Sequence, residues 1–252
     1  MAAERIVTAA VVIIGNEILS GRTQDVNLAY LGQQLNALGI RLREGRIVAD
    51  VEDEIVAAVN ELRRRYTYVF TTGGIGPTHD DITSESVAKA FGVKLIRHPE
   101  AERRLREHYG PERINEARLR MADMPQGAEL IDNPVSIAPG YQIGNVFVLA
   151  GVPAIMRAMF DSLKHRLVGG APVLSISIST RLAEGTIAEG LGALQKRYPE
   201  LDIGSYPFFR GDRFGTTLVL RGIDAAMLSQ AAQELRDLIR ALGAAPLDEE
   251  PD

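Results

Sequence analysis

The chain contains no cysteine and no tryptophan, and aromatic residues make up only 6% of its 252 positions. Without cysteine there is no disulfide, no thiolate metal ligand and no cysteine nucleophile, which is compatible with a reducing compartment. The four histidines are scattered at His79, His98, His108 and His165. Any protein ligands for a metal must therefore come from carboxylates. Nor is positive charge in excess: 28 Lys and Arg against 33 Asp and Glu leave a formal net charge of −5, so no global field gathers nucleic acid or an anionic membrane. No apolar run approaches the ~20 residues that a membrane helix requires. Met1-Ala2-Ala3-Glu4-Arg5 lacks the apolar segment of a signal peptide, so a cytoplasmic location is expected. Hydrophobic residues at 46% and charged residues at 24% describe a globular protein with a substantial core.

What is present is concentrated first in Thr71-Thr72-Gly73-Gly74-Ile75-Gly76-Pro77-Thr78-His79-Asp80-Asp81-Ile82-Thr83, directly after the apolar run Tyr66 to Phe70. The order predicts a buried strand, a glycine turn and a polar loop leading into a helix. Such a passage aims backbone N–H groups and the positive end of a helix dipole at one place, which suits phosphate. Gly73, Gly74 and Gly76 allow close backbone approach, and Pro77 sets the exit direction. Asp80 and Asp81, flanked by the hydroxyls of Thr78, Thr83 and Ser84, would repel an anion unless a hard cation such as magnesium lay between them. Helix capping by Asp80 or Thr83 alone explains neither the three glycines nor the second acid.

The chain before this stretch predicts a buried strand over Ile6–Ile14, ending in the loop Gly15-Asn16-Glu17-Ile18-Leu19-Ser20-Gly21. A helix follows from Asp25, with Leu28, Leu31, Leu35 and Leu38 at helical spacing and Gly39 as its stop. Ile40–Val48 reads as a half-exposed strand, and Glu52–Arg65 as an amphipathic helix with basic residues in its last turn. Strand and helix alternate, which argues for a parallel sheet covered by helices.

After Gly92 come a short strand at Val93–Ile96, a charged helix at Pro99–Tyr109 and helical sequence over Glu112–Met121. The segment Asn133 to Gly140 is turn-rich, too long and too apolar for a casual connection. Strand Val146–Leu149 then meets Gly151-Val152-Pro153, with Pro153 opening the helix Ala154–Leu167. This second strand-glycine-helix junction is placed to face the first. Gly169-Gly170-Ala171-Pro172 marks a domain boundary, giving domains 1–170 and 171–252. The second is a small α+β domain: strand Val173–Ser179, helix Glu184–Tyr198, strands Ile203–Phe209 and Phe214–Leu220 joined by Arg210-Gly211-Asp212-Arg213, and helix Ala225–Leu242. The acidic tail Asp248–Asp252 reads as frayed.

Together, Gly15 to Gly21, Thr71 to Thr83, Asn133 to Gly140 and Gly151 to Pro153 resemble the molybdopterin-binding domain family, closest to the amino-terminal domain of competence/damage-inducible protein A. A similar domain is fused to eukaryotic FAD synthase. The resemblance implies a three-layer α/β/α domain with a mostly parallel sheet and a ligand site at the strands' carboxyl ends. It implies a molybdopterin or nucleotide ligand, metal-dependent (Mg, Mn or Co) hydrolysis of a nucleotide pyrophosphate such as ADP-ribose or FAD, and a homo-oligomer, dimer or trimer. Carried over by motif position, Gly73, Gly74, Gly76 and Thr78 cradle phosphate, with Gly15, Asn16, Pro77, Thr83, Asn133, Pro139, Gly140, Gly151 and Pro153 around the ligand. Asp81 takes the metal or polarises water, Asp80 is a second acid, and Glu17 adds a third carboxylate from the facing loop.

The chain departs from the family pattern at Ile155, where many relatives carry an acid, and at Ser136-Ile137, which stand for a Gly-Thr pair. Full-length competence proteins continue into a deamidase domain beyond the point where this sequence ends, so deamidation is not assigned. A non-catalytic pterin or nucleotide module, or a molybdenum-cofactor biosynthesis protein, is the alternative. Nucleic-acid binding by Arg210 and Arg213 beside Phe208 and Phe209 is disfavoured against a core-and-turn reading of that hairpin.

Overall fold

In the computed structural model the described residues are 6–210 and 213–247. Expectations for Met1–Arg5, for Gly211-Asp212 and the side chains of Arg210 and Arg213, and for the tail Asp248–Asp252 lie outside them. The chain divides into two compact units, Met1–Gly170 and Ala171–Asp252.

The first unit opens with β1 (Val7–Ile14), the short α1 (Asn16–Leu19), α2 (Asn27–Ala37), β2 (Ile40–Val48), α3 (Glu52–Arg65), β3 (Tyr68–Thr72) and α4 (Thr83–Phe91). It continues with β4 (Leu95–Arg97), α5 (Pro99–Arg113), α6 (Glu116–Leu119), β5 (Asp123–Pro125), β6 (Glu129–Ile131), β7 (Gly140–Ile143), β8 (Val146–Leu149) and α7 (Pro153–Leu163). The main sheet runs β2-β1-β3-β8-β7-β6. Its first four strands are parallel, and β7 and β6 add an antiparallel edge.

Alternation along β1 builds the layers. Val7, Ala9, Val11 and Ile13 enter one core with Leu31, Leu35, Met156 and Phe160. Ala10, Val12 and Ile14 enter the other with Ile55, Val59, Leu62 and Val87. Helices α2 and α7 thus cover one face, and α3 and α4 the other, as the period of two requires. Helix α3 carries Glu52, Asp53 and Glu54 in its first turn and Arg63, Arg64 and Arg65 in its last, matching its dipole at both ends. The chain leaves β1 for β2 on one side, then returns to place β3 on the other side of β1. That reversal between β1 and β3 opens a crevice at their carboxyl ends.

Several elements differ from the sequence expectation. A strand, β7, begins at Gly140 within the segment read as turns, and β4 pairs with β5 in a separate antiparallel ribbon. Both strands are too short to carry a visible period. The charged helix extends past Tyr109 to Arg113 across a break at Gly110, whose φ of 68° interrupts the helical backbone. His98 caps that helix by accepting from the Ala101 N–H at 3.4 Å.

On α5, Arg103 and Arg104 both bond Glu100 and hold its carboxyl down to about 2, against an ordinary value of 4.5. A carboxyl lowered on folding stabilises the fold above its ordinary value, and that contribution fades as pH falls toward about 2. Arg103→Ala is expected to raise the Glu100 pKa toward 4.5, read by carboxyl NMR titration.

The second unit consists of β9 (Leu174–Thr180), α8 (Glu184–Arg197), β10 (Asp202–Arg210), β11 (Arg213–Gly222) and α9 (Ala225–Ala241). Its antiparallel sheet runs β10-β11-β9. Ile178, Leu218 and Leu220 pack there against Ile187, Leu194, Leu235 and Ile239 of the two helices. Among the described residues no helix is long and apolar enough to cross a membrane.

Candidate active site

Three loops converge where β1, β3 and β8 end. The Gly73 N–H donates to the Leu149 carbonyl at 3.1 Å, and the Gly15 N–H to the Val48 carbonyl at 3.2 Å, so each loop begins by extending its sheet ladder. Gly73 has φ of 103° and Gly74 of 66°, a reversal that L side chains resist. The reversal is tied down by Thr83, whose N–H donates to the Gly74 carbonyl and whose hydroxyl donates to the Gly73 carbonyl, both at 3.0 Å. Gly151 lies so close that a Cβ there would come within 3.2 Å of the Gly73 Cα. The buried Asn27 of α2 secures this third loop by donating to the Gly151 carbonyl at 2.8 Å.

Between these loops lies a cavity of about 500 Å³. Two carboxylates border it, each folded against a glycine. A Cβ on Gly76 would sit 2.6 Å from Asp81 Oδ2, and a Cβ on Gly15 would sit 2.6 Å from Glu17 Oε2. The glycines therefore make room for the acids as well as for backbone approach. Asp81 Oδ2 accepts from the Thr78 N–H at 2.8 Å and from the Thr78 hydroxyl at 2.5 Å, which fixes the carboxylate on the loop. The opposite wall is apolar, with Met121, Ile155 and Met159. No lysine or arginine is among the described residues lining the cavity.

Of the residues selected from sequence, Glu17, Gly73, Gly74, Gly76, Pro77, Asp81, Asn133, Gly151 and Pro153 line this cavity. Others serve it from behind. Thr78 and Thr83 spend their hydroxyls on Asp81 and on the Gly73 carbonyl. The Asn16 N–H donates to Asp50 at 2.8 Å, Pro139 borders a smaller neighbouring cavity, and Gly140 packs its Cα face against the Val148 carbonyl inside the sheet. Gly73, whose N–H is engaged with Leu149, leaves Gly74, Ile75 and Gly76 to supply donors to a ligand.

Asp80 does not join Asp81. Its side chain is 62% exposed and stands 3.9 Å from the still more open His79.

The segment after β6 gains its shape from Asn133, which accepts from the N–H groups of Val135 and Ser136 and donates to Ser136 Oγ and the Ala138 carbonyl. These bonds hold Ile137 at φ 67°, a conformation that costs a β-branched residue roughly 1–2 kcal/mol. Sequence reasoning missed Asn27, Asp50 and the apolar wall. Asn27 carried no signal beyond a polar residue at a helix start, whereas the Met and Ile positions were legible only as helix core.

Among the described residues no three His, Asp or Glu side chains gather into a ready-made metal cage. Magnesium and its relatives characteristically take one or two carboxylates and complete their shell with substrate phosphate and water. Asp81 and Glu17 on facing loops fit that donor set.

A doubly covered, mostly parallel sheet with glycine loops and carboxylates at its strand ends defines an α/β ligand-binding domain. By its match over residues 10–169, the chain belongs to the family described as a probable molybdopterin binding domain. Residues 172–246 match the FAD synthase middle domain. The chain is 36% identical over 243 residues to a protein of Pyrobaculum arsenaticum, covering 92% of this chain and 90% of that one. It is 34% identical over 219 residues to a CinA-like protein of Desulfosudis oleivorans, covering 77% of this chain and 53% of the relative, so it spans about half that protein's length. The crystal structure of the protein CinA from Thermoplasma acidophilum, a protein of unknown function, superposes with a TM-score of 0.61 at 36% identity, over 64% of this chain and 98% of that one.

Proposed function

We propose that the first unit is a metal-dependent pyrophosphatase acting on a nucleotide diphosphate compound of the ADP-ribose or FAD type. The observation that carries this reading is the charge pattern of the cavity: a glycine loop shaped for phosphate, two carboxylates and no basic side chain. A diphosphate placed there meets like charge from Asp81 and Glu17, and a cation between them reverses the sign of that interaction.

When bound, the divalent cation neutralises phosphate oxygens and acidifies water. The chain does the rest. N–H groups of Gly74, Ile75 and Gly76 stabilise charge that develops on the phosphoryl oxygens. Asp81, held by Thr78, orients the attacking water and receives its proton. Water oxygen bonds to one phosphorus as the bridging P–O bond breaks, yielding AMP and the phosphorylated remainder. Met121, Ile155 and Met159 offer the nucleoside an apolar wall and exclude bulk water.

A second reading has its own support in the same carboxylates. The amino and N–H edge of a pterin is a pair of donors that Asp81 or Glu17 accepts from without any metal. A chelator separates the two. Nucleotide binding measured by calorimetry is expected to weaken at least tenfold when magnesium or manganese is removed, with AMP release stopping in parallel. Tight pterin binding that ignores the chelator, with no turnover of ADP-ribose or FAD, would overturn the pyrophosphatase reading.

A further inference from the structure

Asp81 borders two cavities. Besides the 500 Å³ cleft, it lines a chamber of about 20 Å³ together with Gly76, Ser84 and Tyr141. Tyr141 lies on β7, in register between Leu130 and Val148, and is only 2% exposed. Its hydroxyl is buried and makes no hydrogen bond of good geometry, although the Ser84 side chain lies within reach of it. A buried phenol left without a well-formed partner is destabilising, so natural cores rarely keep one. Charged neighbours in the lining have other partners: Arg120 stands 3.9 Å from Glu85, and Asp123 is 2.9 Å from Arg97 outside the chamber. The chamber has the volume that one water molecule requires, and polar groups enough to hold it.

We propose that Tyr141 is a positioning residue for Asp81, acting through one water molecule in this chamber that accepts from the Tyr141 hydroxyl and donates to the Asp81 carboxylate. Thr78 grips Asp81 only through Oδ2, which leaves the carboxylate free to rotate about that anchor. A donor from the chamber removes this freedom. The remaining lone pairs then face the cleft, where the reaction needs them. Ser84, at the start of α4, takes the water's second donated bond and ties the arrangement to the helix. This inference rests on the reading of Asp81 as the working acid of the cleft.

The test is Tyr141→Phe in the full chain, a change that keeps the ring in the core and deletes the hydroxyl. The rate constant for AMP release is expected to fall roughly tenfold while KM for the metal-nucleotide complex stays within twofold, the pattern of a misoriented group rather than a lost binding contact. A high-resolution crystal structure of the unaltered protein is expected to show a water within hydrogen-bond distance of the Tyr141 hydroxyl and Asp81; in the variant's structure that water is expected to be gone and the Asp81 carboxylate turned. An unchanged rate constant, or a Tyr141 hydroxyl bonded to Ser84 alone with no water, would overturn the proposal. If the unaltered protein shows no turnover, the pyrophosphatase reading fails, and the presence of the water and the Asp81 rotation still decide this inference separately.

Discussion

Asp81→Asn is expected to lower AMP release from ADP-ribose or FAD by roughly 10²–10⁴-fold, the range typical of losing a positioned general base. The fold should survive. An asparagine carbonyl oxygen accepts the same two bonds from the Thr78 N–H and hydroxyl, and the turn that returns the Asp81 N–H to the Thr78 carbonyl at 3.3 Å involves only backbone. The thermal midpoint should therefore stay within a few degrees. Asp80→Asn serves as the internal control, because that carboxyl is 62% exposed and does not border the cleft. Its expected effect is under twofold. Equal losses in the two variants would mean that loop charge in general matters, and that Asp81 has no particular task.

The contrast between these neighbouring acids bears on how much of the molecule could be read from its sequence. The layered domain was legible because α2 and α3 carry a helical period while β1 and β3 are continuous apolar runs, and the two buried sets of β1 follow from the alternation of side chains along any strand. The glycine loop was legible because Gly73 and Gly74 occupy conformations that composition alone singles out. Adjacent positions in a loop, however, point in different directions, and no period assigns Asp80 to solvent and Asp81 to the cleft. That difference arises from the Thr78 turn and from the space beside Gly76. Tertiary assembly likewise hid the apolar wall: Ile155 and Met159 have the spacing of an ordinary helix face, and only the docking of α7 against the strand ends gives them to the cavity. The place of Ile155 on this wall leaves the cleft's charge to Asp81 and Glu17.

Gly73→Ala is expected to cause the largest loss of stability of any single-methyl change in the cleft. A Cβ at Gly73 would lie 2.2 Å from the Ile14 carbonyl oxygen, a backbone atom at the end of β1 that cannot step aside like a side chain. Its φ of 103° adds conformational strain to the clash. Strain and overpacking each cost about 1–3 kcal/mol, so a total of roughly 2–6 kcal/mol follows. In a unit of this size that lowers the thermal midpoint by roughly 4–24 °C. Gly92→Ala separates the two contributions. Gly92 also has a positive φ, 67°, but nothing lies within 4 Å of its Cβ position, so only the strain of about 1 kcal/mol should appear. Nucleotide binding should be lost in Gly73→Ala and kept in Gly92→Ala. A Gly73 variant as stable as the Gly92 one would show that β1 and the loop yield to each other, and that their close approach is not what shapes the cleft.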